Sequence, residues 1–391
     1  MMRSIGLHTY ELDNADIAVA EIKAGLETFP LMEHSAGVIM CDPEYIESGV
    51  YKAVCEALPF PVAGATTMTQ VVDGEAGILM LTVLVLTSDD VFFSVGMTDE
   101  IAPDNDALTP TRACFEDAVK RLPSEPKLIL AFPPLIAENA GDAYVEALAA
   151  LSPGVPIFGT LAISDSIAFD NCSTLCRGEA SPVKMAFIVV AGAVNPRFLI
   201  ATLDDRNKTP YSGEITKSEK NIIREINGVS TYEYFADIGL AKDGKLDQGL
   251  QFVPILVDFK KRGDYDGIPV IHAIVYLDEN GDAVCRGYMY QNSVFTIVNP
   301  SAEDILQSSV KLAERIKAIP DRRATLIFSC VVRRMAFGAE PLLEAEMIEK
   351  NLKGSSSFML GYSGGEICPT SVRADGVTNR FHNYSIIACI L

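Results

Sequence analysis

The 391-residue chain is short of positive charge: 32 lysines and arginines stand against 52 aspartates and glutamates, a formal net charge of −20. A protein that grips nucleic acid needs a basic face to displace counterions from phosphates. The nearest thing to a basic cluster is Lys260-Lys261-Arg262, so the sequence argues against a nucleic-acid partner. An acidic balance of this kind favours a soluble chain. Long apolar runs are also missing. The longest, residues 78–86 and 183–193, fall far short of the roughly 20 residues of a membrane span. The opening MMRSIGLHTYELDNADIAVAEI has one early arginine and then acids, without the apolar core of a signal peptide. No stretch is of low complexity, and glycine and proline are scattered rather than gathered into a linker. Nine cysteines, an odd number, lie in otherwise hydrophobic segments. That pattern suits reduced, buried thiols in a cytoplasm.

What the chain does hold is a repeat. Residues 38–67 read VIMCDPEYIESGVYKAVCEALPFPVAGATT. Residues 128–164 read LILAFPPLIAENAGDAYVEALAALSPGVPIFGTLAIS, and residues 326–367 read LIFSCVVRRMAFGAEPLLEAEMIEKNLKGSSSFMLGYSGGEI. Each is an apolar strand, a loop, a helix and a second short strand. The second strands end at Gly64, Gly159 and Gly361, and a hydroxyl follows at Thr66, Thr160 and Ser363. Upstream of each lies a strand and a helix: 4–9 with 13–26, 91–95 with 111–122, and 294–298 with 302–316. The last of these helices opens on Ser301-x-x-Asp304, a relative of the capping box. Another strand follows each unit, at 77–86, 183–191 and 382–391. The unit therefore reads β-α-β-α-β-β three times, a duplicated building block. Strands alternating with helices give an α/β class with mixed sheets covered by helices. An α+β insertion spans about 204–292, with strands at 221–226, 253–258, 270–277 and 283–289 and a helix at 231–238. The expected division is 1–209, holding two units, and 210–391, holding the insertion and the third unit.

Glycine at a strand tip permits a positive φ or a close approach of another group. Exposed amides there form an anion-holding concavity. Ligands of open α/β sheets gather at such strand ends. The alternative is a tight turn and nothing more. The third tip is the richest, since Glu366 follows Gly364-Gly365 and is a carboxylate that a bare turn does not need.

These same C-terminal residues carry a family resemblance. LIFSC-VV-R (326–333), a helix bearing Glu344 and Glu346, GYSGGEICP (361–369) and the terminal FHNYSIIACIL (381–391) together resemble the C-terminal signature of FIST-domain proteins (F-box and intracellular signal transduction). VAGATT and PIFGT resemble the glycine tips of the family's N-terminal domain. SGEITKSEKNIIREINGVSTYEYF (212–235) resembles the opening of its C-terminal domain. The resemblance covers nearly the whole chain. It implies a sensory domain that binds small ligands, amino acids among them, beside kinase or chemotaxis output. No output module is visible in the sequence, so the expected partner is a separate kinase or other output protein. The first tip, Ala65-Thr66-Thr67-Met68, lacks a following acid and departs from the third.

The expected ligand site comprises Cys330, Arg333, Tyr362, Ser363, Gly364, Gly365, Glu366, His382 and Asn383. Arg333 and the Gly364-Gly365 amides would hold a carboxylate, Glu366 an amine, and Tyr362 would wall the pocket. The guest is a small polar or anionic metabolite. Arg333 could instead pair with Glu366. A competing reading makes Cys330 a nucleophile with His382 as base, Asn383 as orienter and the Gly364-Gly365 amides as oxyanion hole, for acyl transfer or hydrolysis. Cys172-x-x-x-Cys176 is the only tight cysteine pair and lacks the further ligands that structural zinc wants, so no metal is expected. No cofactor is expected either. The resemblance leaves haem open as in gas sensors, and of His8, His34, His272 and His382 the candidate axial ligand is His272.

Overall fold

The computed structural model describes residues 2–166, 169–203, 205–246, 252–259, 268–354, 356–373 and 376–391. The Lys260-Lys261-Arg262 run, and Asp204 at the expected start of the insertion, lie outside these residues.

The first unit runs β1 (Arg3–Thr9), α1 (Ala15–Glu27), β2 (His34–Cys41), α2 (Glu44–Glu47), α3 (Val50–Ala57), β3 (Val62–Thr66), the short strands β4 (Gln70–Val72) and β5 (Glu75–Gly77), and β6 (Leu81–Ser88). The second repeats this order with β7 (Val91–Met97), α4 (Leu108–Lys120), β8 (Pro126–Phe132), α5 (Gly141–Leu151), β9 (Ile157–Thr160), β10 (Thr174–Cys176), β11 (Glu179–Ser181) and β12 (Ala186–Gly192). Local sequence sets the elements. Asn14 caps α1 by accepting from the amides of Asp16 and Ile17. The run from Ala36 to Cys41 is buried on both faces, as a central strand covered by layers must be.

The third unit opens on β13 (Arg197–Ala201), not on residues 294–298 as the repeat pattern suggested. β13 pairs with the last strand of the chain, Arg197 opposite Ile390. An insertion then intervenes: β14 (Lys208–Glu219), β15 (Ile222–Ile226), β16 (Val229–Ser230), α6 (Thr231–Asp237), β17 (Ala241–Lys242), β18 (Lys245–Leu246), β19 (Val253–Asp258), β20 (Val270–Leu277), β21 (Ala283–Cys285) and β22 (Val294–Val298). The strand expected to begin the third unit is β22 of this insertion. The insertion's sheet runs β14-β22-β19-β20-β21-β15, and β14 also pairs with β15. The ring closes into a six-stranded antiparallel barrel filled by Ile215, Phe235, Ile255, Ile274 and Phe295. Closure removes the exposed edges that an open sheet would present.

The third unit resumes with α7 (Ala302–Lys317), β23 (Thr325–Cys330), α8 (Val331–Met335), α9 (Leu343–Leu352), β24 (Phe358–Ser363), β25 (Glu366–Arg373), β26 (Gly376–His382) and β27 (Ile386–Ile390). The Ser301–Asp304 capping box forms as the sequence suggested, each residue bonding the other's backbone amide. The expected division at 209/210 falls within β14, while β13 before it belongs to the third unit's sheet.

Each unit also carries a hairpin that the repeat pattern did not reveal, and each hairpin leaves its own sheet. The three sheets are β1-β6-β2-β3-β10-β11, β7-β12-β8-β9-β25-β26 and β13-β27-β23-β24-β4-β5. The first unit lends its hairpin to the third, the second to the first, and the third to the second. The result is a cyclic interlock of three sheets around a shared apolar core. Phe158 and Phe328 stack there at 5.3 Å, and Phe132 meets Phe328 edge-on at 6.4 Å. No described helix is long and apolar enough to cross a membrane.

Candidate functional site

Gly64, Gly159 and Gly361 lie inside β3, β9 and β24 rather than at their ends, and the tips beyond them are where the chain leaves one sheet for the next. The Gly364 amide donates to the Leu161 carbonyl at 3.1 Å, and the Leu161 amide donates to the Gly365 carbonyl at 3.0 Å. The Ile163 amide donates to the Thr66 carbonyl at 3.1 Å. Thr67 Oγ1 closes the ring: it donates to the Tyr362 carbonyl and accepts from the Tyr362 amide, both at 2.9 Å. The tips thus bind one another in the cyclic order of the hairpins. Their glycines serve close approach rather than positive φ. A Cβ on Gly64 would sit 1.6 Å from the Ile39 carbonyl oxygen, and one on Gly159 would sit 1.9 Å from that of Ala131. Gly365 differs, with φ +153° and Phe381 filling the place of a side chain. The Gly365 amide donates to Ser363 Oγ at 3.0 Å, and Ser363 Oγ donates to the Gly365 carbonyl at 2.7 Å. Neither glycine amide is open to a carboxylate or an oxyanion, in contrast to the expectation from sequence.

Arg333 and Tyr362 go elsewhere. Both are fully buried. The Arg333 guanidinium donates to Glu344 at 2.7 Å, to Ser309 at 2.7 Å, to Ser308 at 2.9 Å and to the Ile305 carbonyl at 3.1 Å. Glu344 also accepts from Ser329 at 2.7 Å and from the Tyr362 hydroxyl at 2.9 Å. Burial raises the Glu344 carboxyl, but Arg333 and the serine hydroxyls outweigh it and hold the group below the usual carboxylate range. Arg333 therefore pairs with Glu344 and not with Glu366, and the pair ties α7, α8 and α9 to β23 and β24. The neighbouring Arg334 is half-buried and donates from Nε to Thr69 Oγ1 at 2.8 Å.

Glu366 is fully buried. Its Oε2 accepts from the Ser385 amide at 3.3 Å, while Oε1 has no hydrogen-bond partner. Burial pushes its carboxyl well above the usual range. Burial, and then Glu366, also push the Cys330 thiol well up. A thiolate nucleophile needs the opposite surroundings. His382 Nε2 lies 3.2 Å from the Cys368 carbonyl. The Asn383 amide N–H donates to the Ile271 carbonyl at 2.8 Å, and Asn383 Oδ1 accepts from the Ala273 amide at 3.1 Å. The His382-Asn383 step thus seats strand β20 of the barrel on the third unit. His272, also on β20, stacks on Phe381 with centroids 6.1 Å apart, and its Nδ1 has no partner. Burial, then His382 and Arg380, lower its pKa to about 3. Cys172 and Cys176 are buried free thiols, and no group of metal-ligating side chains occurs among the described residues.

A cavity opens where the barrel meets the second and third units. Cys330, Gly364 and Asn383 line it, with Phe169 and Phe252 as aromatic walls and Arg286 from the barrel. Its volume is about 20 Å³, enough for one or two waters at roughly 10–15 Å³ each. Of the expected residues these three are brought together. Arg333, Tyr362, Ser363, Gly365, Glu366 and His382 do not line the cavity. Arg286 was missed by the sequence reading. Its only signal was a charge inside the apolar run Val284-Cys285-Arg286-Gly287-Tyr288. A larger groove of about 440 Å³ between the first and second units, with His34, Phe92 and Arg121 on its walls, holds none of the expected residues.

A family model described as the FIST N domain matches residues 35–229, and one described as the FIST C domain matches residues 231–369. Among curated proteins none matches the chain.

Proposed function

We propose, from the premise that the chain belongs to the FIST family, that it is a cytoplasmic small-ligand sensory protein whose guest is a small polar or anionic metabolite. The supporting observation is the cavity between barrel and interlocked core, where Cys330 and Asn383 meet Arg286. A guest there touches the barrel and two of the three repeat units at once. It favours whichever barrel position it fits best, and the shift is available to a separate kinase or other output protein. The cavity is water-sized, so a larger guest needs Phe169 and Phe252 to swing aside. The burial of Cys330, which pushes its thiol well up, favours binding over acyl transfer.

A thermal-shift screen with small carboxylic acids and amino acids tests this reading. A ligand should raise the melting temperature, and the shift should survive Cys330→Ala. No shift in the whole screen, together with rapid labelling of Cys330 that slows in His382→Ala, favours the thiol enzyme instead.

A further inference from the structure

The cavity between barrel and core is polar in one sense only. Arg286 is part-buried on the cavity wall, and burial lowers its pKa. Its guanidinium donates from Nη1 to the Ala137 carbonyl at 3.2 Å, and no carboxylate lies within 4 Å of it among the described residues. The acid that acts on it electrostatically, Glu138, is exposed. A part-buried guanidinium with no counter-ion among the described residues leaves a guest room to supply one. Across the cavity, Asn383 spends its Oδ1 on the Ala273 amide, which leaves the two N–H groups of its Nδ2 as what it offers a guest. Cys330 adds a thiol S–H. The Gly364 amide is spent on Leu161, and the remaining walls, Phe169 and Phe252 among them, are apolar. Among the described lining residues, Arg286 and Asn383 are the polar side chains left to meet a guest, and both offer donors. None of the described residues that line the cavity is acidic, so no side-chain carboxylate stands there to hold an ammonium.

We infer that the cavity takes a small planar monoanion of the carboxylate class, held by the Arg286 guanidinium and the Asn383 side-chain amide, and that it rejects zwitterionic amino acids. This rests on the sensory reading above and narrows it to one ligand class. A planar fork of N–H donors matches a carboxylate in two-point contact. The water-sized cavity favours the smallest carboxylates, and a carbon tail needs Phe169 and Phe252 to swing aside. An ammonium α to the carboxylate would meet no acidic side chain among the described lining residues.

The test uses the full chain with formate, acetate and propionate as probes, at constant ionic strength in chloride. Formamide, acetamide, propionamide and glycine are the controls, and binding is read by thermal shift and calorimetry. The carboxylates should stabilise the protein, while the amides and glycine should not. Arg286→Gln should weaken carboxylate binding by more than about tenfold. Asn383→Asp, which keeps Oδ1 for the Ala273 amide but replaces the donor with an acceptor, should weaken it similarly. Far-ultraviolet dichroism reports whether each variant has folded, so either variant suffices. Equal shifts from amides and carboxylates, a shift from glycine alone, or carboxylate binding unchanged in a folded variant would overturn the anion assignment and leave the sensory reading standing. Silence from every compound, with rapid thiol labelling, would end both.

Discussion

Glu366 shows how far a residue's chemistry departs from its type once it is buried. On the sequence it is a carboxylate beside two glycines. In the fold it is enclosed, accepts one backbone amide at 3.3 Å, and leaves Oε1 unpaired. Its folded pKa is raised well above its unfolded value. The folded state therefore holds a proton that the unfolded chain releases. The favourable contribution is complete below the ordinary carboxylate pKa and fades as pH rises toward the raised one. Glu366→Gln, which keeps the shape without the ionisable proton, should melt with the wild type near pH 4 and a few degrees above it near pH 8. Melting curves across that range check it, and a mutant less stable at pH 8 would show that the carboxylate is ionised and paired. The choice of Glu366 as an amine receptor came from its neighbours in sequence. Its raised pKa comes from burial in the fold, which no local pattern records.

At the scale of elements, the buried Arg333–Glu344 pair decides how three helices sit on the third sheet. Both side chains have zero exposure, and their nitrogen and oxygen lie 2.7 Å apart. Removing one partner strands the other charge among serines and carbonyls. Glu344→Gln should cost about 3–5 kcal/mol in urea unfolding. The double variant Arg333→Met with Glu344→Leu should recover most of that loss, because the charge and its counter-charge leave together. The sequence offered both residues, Glu344 on a helix and Arg333 after a strand, and the resemblance marked both stretches. It did not say that they face each other, since residues 333 and 344 are joined by a loop whose path the local pattern leaves free. Helix starts were more legible. The Ser301–Asp304 box formed as expected, because a cap involves only residues within one turn.

At the scale of the molecule, no repeat unit completes its own sheet. The sheet of the second unit needs β25 and β26 from the third, where Glu366 opposes Thr160 and Ile367 opposes Gly159. A chain cut between residues 209 and 210 leaves the first fragment without these strands, and with an open edge on β9. Residues 1–209 alone should therefore fail to reach a cooperative fold, whereas the barrel segment 205–298, closed on itself, should fold apart from the rest. Thermal unfolding of the two fragments distinguishes them. A sharp transition in 1–209 would mean that the hairpin exchange is dispensable.

The sequence by itself determined the α/β class, the threefold repeat, the Ser301–Asp304 cap and the glycine carried by each second strand. All of these follow from side chains acting on their near neighbours or from segments that match one another. Only the tertiary structure decided that β13 rather than residues 294–298 opens the third unit, that each hairpin crosses to another sheet, and that Cys330 and Asn383 meet Arg286 while Arg333 turns away to Glu344. Strand exchange and buried pairing depend on which surfaces can be covered simultaneously. That is a property of the whole packed core and not of any stretch of chain within it.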